Sequence, residues 1–411
     1  MTGLGKTMPK AVKWRIQTGA VFLIAASLLT GCSGFWDLPT SSSSTSTTST
    51  TLSSGAFYVL NQTTMQIAAY TIASGTLTSV SASPYSLSPS TPYSIAIAPG
   101  GGYLFVGTVS GIYAYAISSG GGLTLANAGS AVSSDIPNAM QVAQNGSNGF
   151  WLIDAFINTV GQVQLDATPL NSSGTYVTGA IVPSVAFTIT NASVKQMALS
   201  PDGNNLFVAL GSAGTIVIPF TANSSSPLGS TARTIPVANT GGSALSVAVD
   251  PTNRLFYIGE TLANSSATSG GLRVFNYSSL SGTPTQVSGS PIASGGLSPS
   301  AILPEASGNY VYVANGQGTT GAGNIAWFPI TASGSTYSIA AGSSIAAGVF
   351  PVGLAEDSTK NFLLAVSSGG STLSGDPDLE AFTMSSGALT AAIMSTTGTD
   401  PVGAYAVVAV P

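Results

Sequence analysis

A chain of 411 residues with 6% charged side chains, one cysteine and no histidine leaves little room for several familiar chemistries. Without imidazole there is no Ser-His-Asp or Cys-His nucleophile, and a single thiol does not make the usual zinc ligand set. Beyond residue 31 only Lys195, Arg233, Arg254, Arg273 and Lys360 stand against fourteen acids, a net charge of −9, so no basic stripe exists for nucleic acid.

Residues 1–31 read as a targeting segment. Lys6, Lys10, Lys13 and Arg15 form a positive head, and Ala20 to Leu29 is an apolar run too short to span a bilayer. The segment ends in Leu29-Thr30-Gly31-Cys32, which resembles the bacterial lipobox. That resemblance implies cleavage before Cys32, lipid attachment to its sulfur and a membrane anchor. An ordinary secretory peptide with a chance cysteine is the alternative. Ser33 follows where an inner-membrane retention signal would place Asp, which favours the outer membrane of the cell envelope. Residues 32–54 are expected to be a tether, because the run Thr40 to Ser54 is almost pure Ser and Thr and has nothing to bury.

From residue 55 onward one unit repeats: a short apolar strand, a tight turn and a second apolar strand. Its clearest copy is Val194 to Leu210, VKQMALSPDGNNLFVAL. In the turn Ser200-Pro201-Asp202-Gly203, proline pre-sets φ, Asp bonds nearby backbone and Gly supplies positive φ. Aligned on the residue opening the first strand, the copies start at Pro92, Pro137, Val194, Ala244, Pro299, Pro351 and Pro401. Proline suits a strand's first residue, where no ladder donor is needed. The last copy stops after one strand, Pro401 to Val410. Its missing partners are at the other end: Phe57 to Leu60 reads as a second strand and Ile67 to Ile72 as a third. A period near 50 residues with such a split repeat predicts a closed ring, an all-β seven-bladed propeller over residues 55–411.

Units such as SPDGNNLFVAL, EASGNYVYVAN and DPTNRLFYIGE resemble the YVTN-type and lactonase-like seven-bladed propellers. The resemblance implies the fold over about residues 55–411. Enzymes of that group, similar to 6-phosphogluconolactonase, are thought to use polar and charged groups that include histidine. This chain has none, so no catalytic residue is carried over.

Two local patterns invite chemistry. Gly316-Gln317-Gly318-Thr319-Thr320-Gly321 matches G-x-G-x-x-G, but that motif needs a helix next, and Asn324 to Ile330 reads as a strand. Asp376, Asp378 and Glu380 offer oxygens to one Ca²⁺ or form a solvated acidic loop; no other cofactor or metal is expected. The loops at 260–271, 315–324 and 367–378 open on the face where the inner strands begin. With Asp154 and Lys195, the residues Glu260, Asn315, Asp376 and Asp378 on these loops make that face the candidate binding surface. The expected protein is a monomeric, lipid-anchored binding or scaffold module. Its partner would be a protein, a glycan or a small molecule. The alternative is a lactonase-like hydrolase working through carboxylates.

Overall fold

The computed structural model describes residues 55–411, except 74–75, 88, 147–148, 266–267, 319–321, 370–376 and 396–398. The leader, Cys32, the Ser/Thr-rich tether and Asp376 lie outside the described residues.

The described strands form seven antiparallel sheets, each built from one sequence repeat. Blade 1 runs from its inner strand outward through Pro92–Ile97, Tyr103–Thr108, Gly111–Ile117 and Leu123–Leu125. Blade 2 has Ala139–Asn145, Gly149–Ile157, Val163–Asn171 and Ser184–Phe187. Blade 3 has Gln196–Leu199, Asn205–Ala209, Thr215–Pro219 and Arg233–Ile235. Blade 4 has Ala244–Val249, Leu255–Glu260, Gly271–Asn276 and Ile292–Ala293. Blade 5 has Gly296–Pro304, Tyr310–Gly318, Asn324–Ser333 and Thr336–Ile339, with Ser343–Ala346 also on its third strand. Blade 6 has Pro351–Glu356, Phe362–Ser367, Leu379–Ser385 and Ala388–Met394. In blade 7 the inner strand Ala404–Ala409 pairs with Ala56–Asn61, followed outward by Gln66–Ala73 and Thr76–Ser79. The first and last described strands thus share one sheet. The inner strand of blade 7 also touches those of blades 6 and 1, which closes the ring.

The core follows from strand alternation. Successive side chains leave a strand on opposite faces, so each blade meets two neighbours with two sets of residues. In the second strand of blade 2, Trp151 and Ile153 join a cluster with blade 3, whereas Phe150 and Leu152 join one with blade 1. Seven such clusters fill the seven interfaces between blades.

The turn at residues 200–203 forms as its sequence predicts. Gly203 has φ 67° and its N–H reaches the Ser200 carbonyl at 2.8 Å. Ser200 Oγ accepts from the N–H of Asn205 at 2.9 Å, and Asp202 accepts from the Tyr277 hydroxyl of the next blade at 2.7 Å. Burial pushes the Asp202 carboxyl up, but hydrogen bonds from Ser200, Tyr277 and Asn204 outweigh it and hold the group below its ordinary range. The opening prolines have a second use besides tolerating a missing donor. Pro92, Pro137, Pro299 and Pro351 each offer a carbonyl to a side chain of the preceding blade: Gln62, Ser94, Ser246 and Ser300.

One detail of register differs from the sequence alignment. Asn61 pairs with Ala404 and Leu60 with Ala406, as Thr108 pairs with Pro92 and Gly107 with Ser94. The residue equivalent to Pro92 is therefore Ala404, not Pro401. Apolar composition alone did not reveal this three-residue slip, because the connector at 401–403 holds a proline that mimics an opening residue.

Candidate functional site

Second strands run toward the face where inner strands begin, so the loops after them and the connectors between blades share that face. The structure puts most of the predicted side chains of this face inside the ring.

Glu260 is buried, and its Oε1 meets Arg273 Nη1 at 2.7 Å. Its Oε2 accepts from the Ala238 N–H at 2.9 Å, and Arg273 Nη1 also donates to the Pro236 carbonyl at 2.7 Å. The pair therefore clasps the connector from blade 3 to the body of blade 4. Arg273 lies over the Phe275 ring, 4.8 Å from its centroid.

Asn315 is buried in blade 5, where its amide donates to the Ser294 carbonyl and to Asn324 Oδ1, each at 2.8 Å. Ser294 Oγ donates back to Asn315 Oδ1 at 2.6 Å. This fastens the connector entering blade 5.

Asp378 is buried, and its Oδ2 accepts from the Gly403 N–H at 2.7 Å. Its own N–H reaches Asp400 Oδ1 at 2.9 Å. It holds the connector that leads into the closing strand. Two residues on, Glu380 accepts from the Gly348 N–H at 2.8 Å. Burial, partly offset by that one donor, raises its pKa to about 7. Glu380 is the second residue of the third strand of blade 6, Leu379–Ser385, and not part of a loop. Asp378 and Glu380 are thus engaged with backbone donors, and Asp376 lies outside the described residues. Among the described residues no group of three or more His, Cys, Asp or Glu side chains is placed to hold a metal ion.

The glycines at 316 and 318 belong to the second strand of blade 5, and Asn324–Ser333 continues as a strand. The sheet leaves no helix N-terminus there to receive a pyrophosphate.

Among the described residues Asp154 is the exception among the carboxylates: it is 0% exposed and neither oxygen has a hydrogen-bond partner there. Burial, then Asp135 and Asp166, push its pKa well above the ordinary carboxylate range.

What reaches the mouth is a ring of bulged residues that sequence reading identified only in part. The inner strands of blades 1, 4, 5, 6 and 7 each carry one extra residue at the same place: Tyr93, Leu245, Ser300, Val352 and Tyr405. A bulge leaves a residue out of the ladder and re-aims its side chain. Asn138 and Lys195 hold the equivalent positions in blades 2 and 3, where their N–H groups still reach Ala155 and Ala209. Asn138, Lys195 and Tyr405 are exposed, and Tyr93 is half-buried on the blade beside Tyr405. The register slip decides this: with Ala404 as the opening residue, the mouth residue of blade 7 is Tyr405, 38% exposed. Lys195 has no ion pair among the described residues; the ion pairs found there are Arg254 with Asp250 and Arg273 with Glu260. A depression of about 500 Å³ lies elsewhere, on the outer rim between blades 1 and 2, lined by Asn127, Asn171 and Tyr176 among others.

No family model and no curated protein sequence matches the chain. Solved structures do. A putative 6-phosphogluconolactonase from Bacteroides fragilis is 14% identical, with a TM-score of 0.62 over 89% of this chain and 99% of that one. The periplasmic gluconolactonase of Pseudomonas aeruginosa is 17% identical, with a TM-score of 0.61 over 87% of this chain and 99% of that one. A putative 6-phosphogluconolactonase from Bacteroides uniformis is 16% identical, with a TM-score of 0.61 over 86% and 98%. The likeness is one of fold. It agrees with the seven-bladed ring and assigns no side chain a role.

Proposed function

We propose that the protein is a binding module of the bacterial envelope, a rigid propeller held to the outer membrane through a lipid on Cys32. The reading rests on one observation. The bulged ring presents Tyr93, Asn138, Lys195 and Tyr405 at the mouth, while Glu260, Asn315 and Asp378 on the same face hold connectors together. Tyrosine gives an apolar face with a polar tip, Asn gives both donor and acceptor, and Lys195 gives one cation. That set suits recognition by stacking and hydrogen bonding better than bond cleavage, which needs a positioned acid, base or nucleophile. The partner class is a glycan, a protein loop or a small molecule with an apolar face.

The test is binding of the purified protein to an array of envelope glycans and peptides, with Tyr405→Ala and Lys195→Ala beside the parent. Loss of binding in both variants, with unchanged melting, is the expected result. Binding unaffected by either change would remove the mouth from consideration. For the anchor, fatty-acid labelling of the parent and of Cys32→Ala is decisive, since no other cysteine can take the lipid.

A lactone hydrolase is the second reading, favoured by the nearly full-length fold likeness to proteins described as gluconolactonases. Lactone opening, followed as acid release with and without Ca²⁺, separates the two. Turnover abolished by Asp154→Asn would favour the hydrolase.

A further inference from the structure

The position of Asp154 is apolar in every other blade. The register places Val106, Val208, Ile258, Val313, Ala365 and Val59 at the same point of the second strand, and all are buried. Blade 2 alone puts a carboxyl there. Its side chain leaves the strand on the face turned to blade 1, with Phe150 and Leu152.

The groups around it can be named element by element. On the third strand of blade 2, Asp166 stands directly opposite, 7% exposed, and its two oxygens accept from Gln164 Nε2 at 3.1 Å. On the inner strand the opposite residue is Met140. The connector from blade 1 brings Asp135 within electrostatic reach of Asp154, and its Oδ2 accepts from Ser133 Oγ at 2.6 Å. Blade 1 presents Ala96, Phe105, Ile112 and Ala114, and the connector presents Val132, none of which titrates; Tyr103 of blade 1 and Tyr176 of blade 2 are partly buried along the edge of the same cluster. No Lys or Arg lies in blade 1, blade 2 or the connector between them.

An ionised Asp154 would therefore be a buried charge without donor or counter-ion, beside two further carboxylates. That arrangement costs several kcal/mol, and a proton removes most of the cost. Six blades show that an apolar residue fits the position, so packing does not require the carboxyl. A metal does not answer the need either, since no three of these side chains are placed to hold one.

We propose that Asp154, with Asp166 and Asp135, is a proton-binding lock between blades 1 and 2. With the proton bound, the interface is closed. Loss of the proton sets Asp154 against both neighbours, admits water and frees the connector at 131–138. That connector ends at Asn138 of the mouth, so the proton also governs the shape of the binding face.

The sign follows from linkage. Folded protein binds this proton more tightly than unfolded protein does, so stability is greatest below the unfolded carboxyl value, about pH 4, and falls as pH rises toward the folded value. The unfolding equilibrium constant gains about tenfold per pH unit in that window from this group alone.

The experiment measures denaturant unfolding of the full protein from pH 5 to 9 for the parent, Asp154→Asn and Asp154→Val. Asn keeps the shape and can donate to Asp166; Val is the residue of the equivalent sites. The parent should lose stability relative to each folded variant by up to tenfold in the equilibrium constant per pH unit. Hydrogen exchange at pH 9 should be faster in the parent than in either variant over residues 131–157 and equal elsewhere. Parallel pH curves, or equal exchange at 131–157, would overturn the lock. So would stabilisation by Ca²⁺ that is present in the parent and absent in both variants, because the pocket would then be a cation site.

Discussion

Blades 2 and 4 solve the same problem differently. Asp166 and Arg273 occupy one equivalent position of the third strand, opposite Asp154 and Ile258 respectively. In blade 4 the buried charge is matched: Arg273 meets Glu260, and the Glu260 carboxylate takes a backbone N–H as well. In blade 2 a second acid faces the first and no cation is supplied. Glu380 of blade 6 stands between them, with one backbone donor and a pKa of about 7. Burial is the largest influence on both Asp154 and Glu380 and raises both. The donor on Glu380 offsets part of that effect, and the acids beside Asp154 add to it. The Glu260 clasp has donors; Asp154 has none among the described residues, and its pKa lies well above the ordinary carboxylate range.

The harshest way to break this comparison is to remove a clasp together with what it holds. Deleting residues 400–411 takes away the connector bound by Asp378 and the closing inner strand, with the buried Val407 and, just after the strand, the buried Val410. Each fully buried Val contributes about 1.5–3 kcal/mol, against about 5–15 kcal/mol for a typical domain. The expected outcome is aggregation or a broad early melt, and a calorimetric trace unchanged within a few degrees would contradict ring closure as the source of stability.

Next in size is Arg273→Met. Among the described residues it leaves Glu260 buried with the Ala238 donor alone, and such half-broken pairs lose about 3–5 kcal/mol. Adding Glu260→Gln should recover part of the loss, because the charge left alone goes with it. Urea unfolding of the single and double variants gives both numbers. Equal loss in the two would show that packing of Arg273 over Phe275, and not charge, is what matters.

The opposite sign is expected in blade 2. Asp154→Val removes two unpartnered oxygens and should stabilise at pH 7, by about 1–3 kcal/mol. A loss of stability would mean that Asp154 has a partner in solution.

Glu380→Gln sharpens the middle case. The folded carboxyl is raised from 4.5 to about 7, so it favours folding below pH 4.5 and loses that advantage as pH rises to about 7. The difference in unfolding free energy between parent and variant should slope between those values and be flat above them. A slope confined to lower pH would place the Gly348 hydrogen bond above burial in effect.

The smallest effect belongs to the face away from the mouth. Tyr277→Phe takes one donor from Asp202, which keeps Ser200 and Asn204, and should cost about 0.5–1.5 kcal/mol. Melting temperature is a sufficient readout.

Much of the architecture was legible in the chain itself, for physical reasons. A strand buried on both faces must be apolar throughout, and a tight turn demands Gly, Pro or Asp. Those two requirements mark a strand-turn-strand unit wherever it falls, so the second strands from Tyr103–Thr108 to Phe362–Ser367 were readable in order. The split repeat also announced ring closure, because a lone inner strand at one end needs its partners from the other. What the chain could not announce was register and burial of polar groups. Pro401 looks like an opening residue, and only the pairing of Asn61 with Ala404 moves the opening to Ala404 and puts Tyr405 at the mouth. Glu260, Asn315 and Asp378 read as loop-end polar residues facing solvent. Their partners lie on connectors 21 to 25 residues away, and a sequence does not show which backbone donors will converge on a carboxylate. The apolar pattern determined the blades. Donor geometry, which exists only once the blades close on one another, decided which polar side chains hold the ring, which reach the mouth, and which buried carboxyl is left without a donor.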